Sequence, residues 1–598
     1  MLVNYNQKKP VYSPQTGCTL LLLFLLSISQ LPPALAQGFL KAEGKKIVDE
    51  KGENVLLRGI GLGGWMLQEG YMLRINKEAQ QYRIRERISE LAGPAQTKKF
   101  YDTWLTNHTR KPDIDSLKAW GFNSVRLPMH YNLYTLPADQ EPVPGKNTWI
   151  ETGFVLTDSL LAWCKANRMY LILDLHAAPG GQGNDLNISD RDPSKPSLWE
   201  SRANQEKMIA LWKKLAERYA SEPWIGAYDI INEPNWGFSD LANDKNGTRE
   251  QKNEPLQKLL KEATKAIREV DKNHLLIIEG NGWGNNYNGI VPDWDDNMAL
   301  SFHKYWNFNN QAALQNMLKM RDQYNKPIWL GETGENSNVW FTQAIQLLES
   351  NNIGWAWWPL KKLGINNPME IRSNPDYDLL VNYLNGQAGN TKPDKNTVIR
   401  GLNKLAEDLK QENTIVHRDV LDAMFRQPFS TATKPFREHL IAPGSIINAV
   451  DYDLGRNGFA YFDQDTADYH VSTGKRTAGN RGRHYRNDGV DISKDSSDNR
   501  YYVSDVESGE WLNYTINVLE AGKYTVQIRV AAEKPGGRIS LGDGKTDMVK
   551  DIDVPATGSS SKFSIIGLKN ISLNKGVQTL RFTAGSGEMS LSEIKFGR

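Results

Sequence analysis

Eight short apolar runs, each followed by a helix-like stretch, limit what this chain can fold into more than any other feature. They fall at 55–60, 124–127, 170–175, 227–231, 275–279, 299–302, 328–330 and 353–357. Several are apolar without alternation, the pattern of strands covered on both faces. Amphipathic segments such as 205–219 and 255–270 lie between them. Eight strand–helix units in one unbroken series predict a (β/α)8 TIM barrel. The C-terminal ends of such strands face a common opening, so the side chains placed there matter most.

The chain has 598 residues, more than one core accommodates, and a second domain is expected. From about 445 the helical period gives way to short alternating strands (511–516, 524–530, 579–582) separated by glycine-rich turns. That is the texture of an all-β sandwich or jelly roll. The barrel is assigned to 37–427, with one closing helix at about 398–425. A connector holding Pro428, Pro435 and Pro443 is assigned to 428–444, and the sandwich to 445–598. Residues 1–36 read as a cleaved secretory signal: Lys8 and Lys9, an apolar run at 20–26, then Ala34-Leu35-Ala36. The expected location is therefore secreted or periplasmic. The run is too short to span a bilayer, and no later segment is long and apolar enough, so no membrane association is expected after cleavage. Cys18 leaves with the signal, and Cys164 stays as a lone buried hydrophobe that cannot form an internal disulfide. A net charge of +2 without a basic run excludes a nucleic-acid partner.

Two glutamates stand at the mouths of apolar runs, Glu233 in Ile231-Asn232-Glu233-Pro234 and Glu332 in Leu330-Gly331-Glu332-Thr333. A carboxylate is costly to desolvate in such a place. Two of them on one barrel can flank a glycosidic bond, one protonating the leaving oxygen while the other attacks the anomeric carbon. Glu335 is the rival for the second position. Scattered histidines such as His130, His176 and His303 lack H-x-H or H-E-x-x-H spacing, so no catalytic metal is expected.

Phe122-Asn123-Ser124-Val125-Arg126-Leu127-Pro128, Asp174-Leu175-His176-Ala177-Ala178-Pro179-Gly180, the Asn232-Glu233-Pro234 segment, His303-Lys304-Tyr305, the Gly331-Glu332-Thr333 segment and Trp357-Trp358 occur in that order. Together they resemble glycoside hydrolase family 5 over about 40–425. The resemblance implies a retaining hydrolase that needs no cofactor for catalysis, with Glu233 as acid/base and Glu332 as nucleophile, their carboxyls about 5–5.5 Å apart. It further implies that Arg126 and Tyr305 hold Glu332, that Asn232 donates to the sugar 2-hydroxyl, that His176 and His303 line subsites and that Trp358 is a sugar platform. Gly63-Gly64-Trp65-Met66-Leu67-Gln68-Glu69 resembles the β-1,3-glucanase branch, where Glu69 would bind a terminal sugar beside Trp65. The expected partner is a β-glucan polysaccharide or oligosaccharide, the linkage left open. A β-mannanase, a transglycosylase and a catalytically silent glycan-binding protein are the alternatives.

Residues 445–598 resemble carbohydrate-binding module family 6 through Tyr485-Arg486-Asn487-Asp488-Gly489-Val490-Asp491-Ile492 and Glu507-Ser508-Gly509-Glu510-Trp511. Tyr485 matches an aromatic of that family's loop-end sugar site. Asp505 stands where the family has a tryptophan, and Ser590 where it has an asparagine. Asn448-Ala449-Val450 replaces the Glu-x-Glu that helps hold a structural calcium.

Overall fold

Alternation along the apolar runs sorts their side chains into two sets, and that sort builds the barrel. Leu171, Leu173 and Leu175 point outward into a core shared with the surrounding helices. Tyr170 and Ile172 point inward and pack with Ala227, Leu275, Ile277, Ala299, Trp329 and Ala356. The computed structural model describes residues 38–389 and 391–598. The signal expected at 1–36, with Lys8, Lys9 and Ala34-Leu35-Ala36, lies outside them.

The strands are β1 (Arg58–Gly61), β2 (Ser124–His130), β3 (Tyr170–Ala177), β4 (Ile225–Asp229), β5 (Leu275–Glu279), β6 (Met298–Lys304), β7 (Ile328–Gly334) and β8 (Gly354–Trp358). They form a closed barrel in which β8 pairs in parallel with β1. Each of the eight expected runs overlaps one of these strands. A hairpin, Lys41–Glu43 with Lys46–Val48, places Leu40 and Ile47 in the inner cluster and closes the N-terminal end.

At the opposite end the same inward register turns from apolar to charged. Period-two alternation carries Tyr170 and Ile172 on to Asp174 and His176, Ala227 to Asp229, Ile277 to Glu279, and Ala299 to Ser301 and His303. Strand β7 needs one correction to this period. Phe302 pairs with Leu330, yet His303 pairs with Glu332, so Gly331 is an extra residue in the ladder. That bulge turns Glu332 toward the opening. A Cβ on Gly331 would lie 2.2 Å from Ser301 Oγ, so the bulge admits only glycine without rearrangement.

The single closing helix expected at 398–425 is two helices, Lys395–Glu407 and Arg418–Phe425. Between them Ile415–Val416, a β-branched pair, adds to a small sheet by pairing with Met369–Glu370. Lys395–Glu407 packs with Gln81–Ala92, Pro94–His108 and Pro375–Leu384 around a separate apolar cluster beside the barrel. Cys164 is buried, and burial pushes its thiol pKa up. Among the described residues no helix is long and apolar enough to cross a membrane.

The C-terminal region is a sandwich of two six-stranded sheets around its own core. The stretch assigned as connector is partly sandwich: Leu440–Ile441 pairs in parallel with Asn517 and Val518 of Trp511–Val518. One edge of the sandwich is joined to the barrel by hydrogen bonds between buried groups. Asn338 N donates to Asn487 O at 2.8 Å, and Asn487 Nδ2 donates to Asn336 O at 2.8 Å. Asn487 N and Asn338 Nδ2 both donate to Asp419 Oδ2, each at 2.8 Å. Asn336 and Asp468 exchange two further bonds, at 2.8 and 3.0 Å. Buried polar groups satisfied on both sides make such a joint costly to open.

Candidate active site

Strand β4 ends at Asp229, and four residues later the backbone turns sharply. Glu233 has φ 43°, in the left-handed region, which costs a non-glycine residue on the order of 1–2 kcal/mol. The turn sets the Glu233 amide on Glu279 Oε2 at 2.7 Å and its Oε1 at 2.6 Å from His303 Nδ1. His303 Nε2 lies 3.1 Å from Glu279 Oε1. Burial disfavours charge on this imidazole, but Glu279, Glu233 and Glu332 outweigh it and raise its pKa well above the ordinary value. His303 thus joins β4, β5 and β6, with the carboxyls around it favouring its charged form.

Glu332 is held from two sides. Arg126 Nη1 donates to its Oε2 at 2.9 Å, and Tyr305 OH donates to its Oε1 at 2.8 Å. Arg126 is fully buried and also donates to Asp229 Oδ2 through Nε and Nη2 at 3.0 and 2.9 Å. It reaches Asn232 Oδ1 at 2.9 Å, Asp174 Oδ2 at 3.2 Å and Glu279 Oε1 at 3.2 Å. One guanidinium therefore sits among four carboxyls. Burial raises Asp174 and Asp229 well above the usual carboxylate range in spite of it. Burial acts on Glu279 too, but His303, Arg126 and the Glu233 amide hold it below that range.

A carboxylate oxygen of Glu233, one of Glu332 and a ring nitrogen of His303 all lie within 4.8 Å of one another. Burial raises the pKa of both glutamates; His303 opposes this in each, and Glu233 adds to the rise at Glu332. Two acids this close titrate as a pair and hold one proton through a range where isolated carboxyls hold none. The three groups have the make-up of a cation site, but His303 is committed to Glu233 and Glu332 to Arg126 and Tyr305, which fits proton transfer better than metal ligation.

His176 donates Nδ1–H to Asp174 Oδ2 at 2.8 Å and receives Asn232 Nδ2 on Nε2 at 3.3 Å. Burial lowers its pKa to about 3, so it is neutral. Its ring lies parallel to Trp358, with centroids 5.0 Å apart. Trp358 also rests on the backbone at the end of β1 and just after it, where a Cβ on Gly61 or Gly63 would come within 2.5 or 2.6 Å of the indole. Trp358 is 3% exposed, much as Glu233 and Glu332 are at 6%. Its Nε1 donates to Tyr71 OH at 2.9 Å.

Glu69 is buried close enough to the acid pair that burial, with the charges of Glu332, Glu335 and Glu233, raises its pKa well above the usual range. Trp65, expected beside it, is 1% exposed in the helix-facing core, and its Nε1 donates to Leu105 O. The indole is used for packing, which corrects the substrate-binding expectation. Glu335 is paired with Lys362 at 2.9 Å, outside the acid pair. Tyr485 is corrected as well. Its hydroxyl donates to Asp451 and receives Arg437 Nε at 3.2 Å, and its ring packs on Phe436 and Tyr501. The loop it belongs to continues into Asn487 and Asp488, which are buried against the barrel.

Sequence reasoning passed over Glu279 and Tyr71. Glu279 gave the same signal as its two partners, a carboxylate closing an apolar run. Tyr71 gave none, since it lies in a short helical turn, Gly70–Leu73, after β1.

Residues 88–364 match the family described as Cellulase (glycosyl hydrolase family 5), and residues 483–598 match Carbohydrate binding module (family 6). A beta-xylosidase of Phanerodontia chrysosporium is 27% identical over 384 residues, covering 58% of this chain and 76% of that protein. Endoglucanase C of Acetivibrio thermocellus is 28% identical over 259 residues, 43% of this chain; the chain spans 60% of that relative's length. The solved structure of endoglucanase Cel5A from Thermotoga maritima is 20% identical, with 42% of this chain and 82% of that one covered at a TM-score of 0.33. The barrel thus carries a match to the glycosyl hydrolase family 5 cellulase model over 88–364, and the sandwich after it a match to the family 6 carbohydrate binding module over 483–598.

Proposed function

We propose that the chain is a secreted retaining β-glucanase in which Glu332 attacks the anomeric carbon while Glu233 protonates the leaving oxygen. Glu233, now a base, then takes a proton from the water that displaces Glu332. The carrying observation is the approach of the Glu233 and Glu332 oxygens to within 4.8 Å. Oxygens this close suit a retaining pair, whose carboxyls lie about 5–5.5 Å apart, better than an inverting pair, which keeps room for a water between them. His303 occupies Glu233 Oε1, leaving Oε2 for the glycosidic oxygen. Arg126 and Tyr305 favour ionised Glu332. With Oδ1 on Arg126, Asn232 has its amide N–H groups directed to His176 and to a sugar 2-hydroxyl. Family 5 chemistry needs no cofactor.

Glucan is the preferred substrate because the relatives include endoglucanases and a probable glucan 1,3-beta-glucosidase of Aspergillus clavatus, 26% identical over 186 residues. Product analysis on laminarin, carboxymethylcellulose, mannan and xylan tests this. Faster release from mannan or xylan than from either glucan would refute it. Secretion follows from the sequence of residues 1–36, and recovery of the mature chain outside the cytoplasm checks it.

Glu233→Gln tests the acid role through pH. The parent should give a bell-shaped kcat/KM profile: the acid limb appears as Glu332 gains a proton, the alkaline limb as Glu233 loses its own. Burial of Glu233 places that alkaline limb above the usual carboxylate range. On cello-oligosaccharides the variant should lose about 10²–10⁴ in kcat/KM. On a dinitrophenyl β-glucoside, whose leaving group needs no proton, it should lose far less and show no alkaline limb. An alkaline limb that survives on the activated substrate assigns the acid to another group.

For the module, a calcium-free loop is the favoured reading. Asn448, at the family's first glutamate position, donates to Asp451 Oδ2 at 3.0 Å, so a neutral amide committed to a hydrogen bond replaces a carboxylate ligand there. Chelation with EDTA should leave the melting midpoint of the intact chain unchanged, and a fall of several degrees would show a bound cation.

A further inference from the structure

Resting on the hydrolase reading, we propose that the module does not capture substrate at a distance but walls a second stretch of the substrate site, which holds sugar units of the same β-glucan chain beyond those at the acid pair. The observation is a cavity of about 790 Å³ whose lining comes from both domains. The barrel contributes Tyr71, Arg74, Trp306 and Glu335, and the module contributes Arg476 and Arg483.

Its position ties it to the acid pair. Trp306 follows Tyr305, the residue that holds Glu332, and packs against it with ring centroids 5.0 Å apart. Glu335 lies three residues past Glu332, and Trp306 Nε1 donates to Glu335 O at 3.1 Å. Tyr71 takes the hydrogen bond of Trp358, which stacks on His176. The cavity therefore adjoins the centre through three separate contacts.

The lining suits a sugar chain. The volume lies within the ~300–1,000 Å³ typical of ligand sites. Tyr71 is 36% exposed, an aromatic surface for a pyranose face. Arg476 and Arg483 are exposed and line the cavity, so they can offer their forks of N–H donors to vicinal hydroxyls. Arg483 is held at φ 54°, with its N–H on Asn480 Oδ1 at 2.8 Å. The module's placement is equally fixed: Val471 N donates to Trp306 O at 3.0 Å and Phe308 N to Ser472 Oγ at 2.9 Å. The loop that ends in Tyr485-Arg486-Asn487 thus serves as cleft wall rather than as a free sugar site.

The test uses the full chain carrying Glu233→Gln, which slows turnover, titrated calorimetrically with cello- and laminari-oligosaccharides of two to six units. Affinity in one series should rise with length. Adding Arg476→Ala and Arg483→Ala should cut the ratio of hexasaccharide to disaccharide affinity about tenfold, at the scale of one or two lost charge-assisted hydrogen bonds. An unchanged ratio overturns the proposal, and so does a lack of binding by both series. Hydrolysis of the same sugars by the parent chain reports separately on the hydrolase reading. A parent that binds in the expected ladder but cleaves nothing sinks that reading and leaves the cavity assignment intact. Both arginines are on the exposed lip, so a melting midpoint matching the Glu233→Gln parent is expected for the triple variant. Tyr71→Ala, measured the same way, is the second variant and should reduce the ratio in the same direction.

Discussion

Glu332→Ala should lower kcat on an aryl β-glucoside by on the order of 10⁴-fold or more, the scale seen when a covalent nucleophile is removed. The loss should be specific to chemistry, because Glu332 is a terminal group at the cleft and Arg126 keeps its other carboxyl partners. Adding azide to the variant gives the decisive result. A small anion can enter the space left by the side chain and attack the anomeric carbon from the face Glu332 used, so rate should return and the product should be an α-glucosyl azide. A retained loss without azide rescue, or rescue that yields only the β-product, would remove Glu332 from the nucleophile's position. Glu335→Ala in parallel separates the two candidates, since its partner is Lys362 and not the acid pair.

Arg126→Met should cost stability as well as activity. The methionine has comparable length, so packing is largely kept, but Asp174, Asp229, Glu279 and Glu332 lose their shared cation. Removing one partner of a buried ion pair typically costs about 3–5 kcal/mol. Proton uptake by the orphaned acids limits the loss, and the variant should become relatively more stable as pH falls. The check is urea unfolding at pH 5 and pH 8, with the deficit against the parent larger at pH 8. Activity should fall with it, because Glu332 keeps its proton to higher pH without the guanidinium. An equal deficit at both pH values would mean that packing, not charge, is what Arg126 supplies.

The strand-end chemistry was legible because a barrel strand has two simple rules, period two along its length and function at its C-terminal end. Arg126, His176 and His303 fit both rules, while Glu233, Glu332, Asn232 and Tyr305 were picked out by the ordered motifs at the strand ends, and the structure brings all seven together. What was hidden depends on loops. The indole of Trp65 and the phenol of Tyr485 could be platforms or packing, and only the backbone path decides. Trp65 sits within reach of Leu105 O on the helix Pro94–His108, and Tyr485 within reach of Asp451. The break between the helices Lys395–Glu407 and Arg418–Phe425 was missed because its cause, pairing of Ile415–Val416 with Met369–Glu370, is nonlocal. The bulge at Gly331 was missed for the opposite reason: it shifts register by one residue, a change too small for hydrophobic pattern to register.

The joint of Asn336, Asn338, Asp419 and Asn487 has a mechanical consequence. A module on a flexible tether gains from local concentration, because it can grip one place on a fibre while its enzyme works at another. That gain requires free reach, and a module bonded edge to edge has none. On the proposed reading, attachment and cleavage are then one event at one spot, an arrangement that fits a single dissolved or loosened strand better than roaming over a crystalline surface.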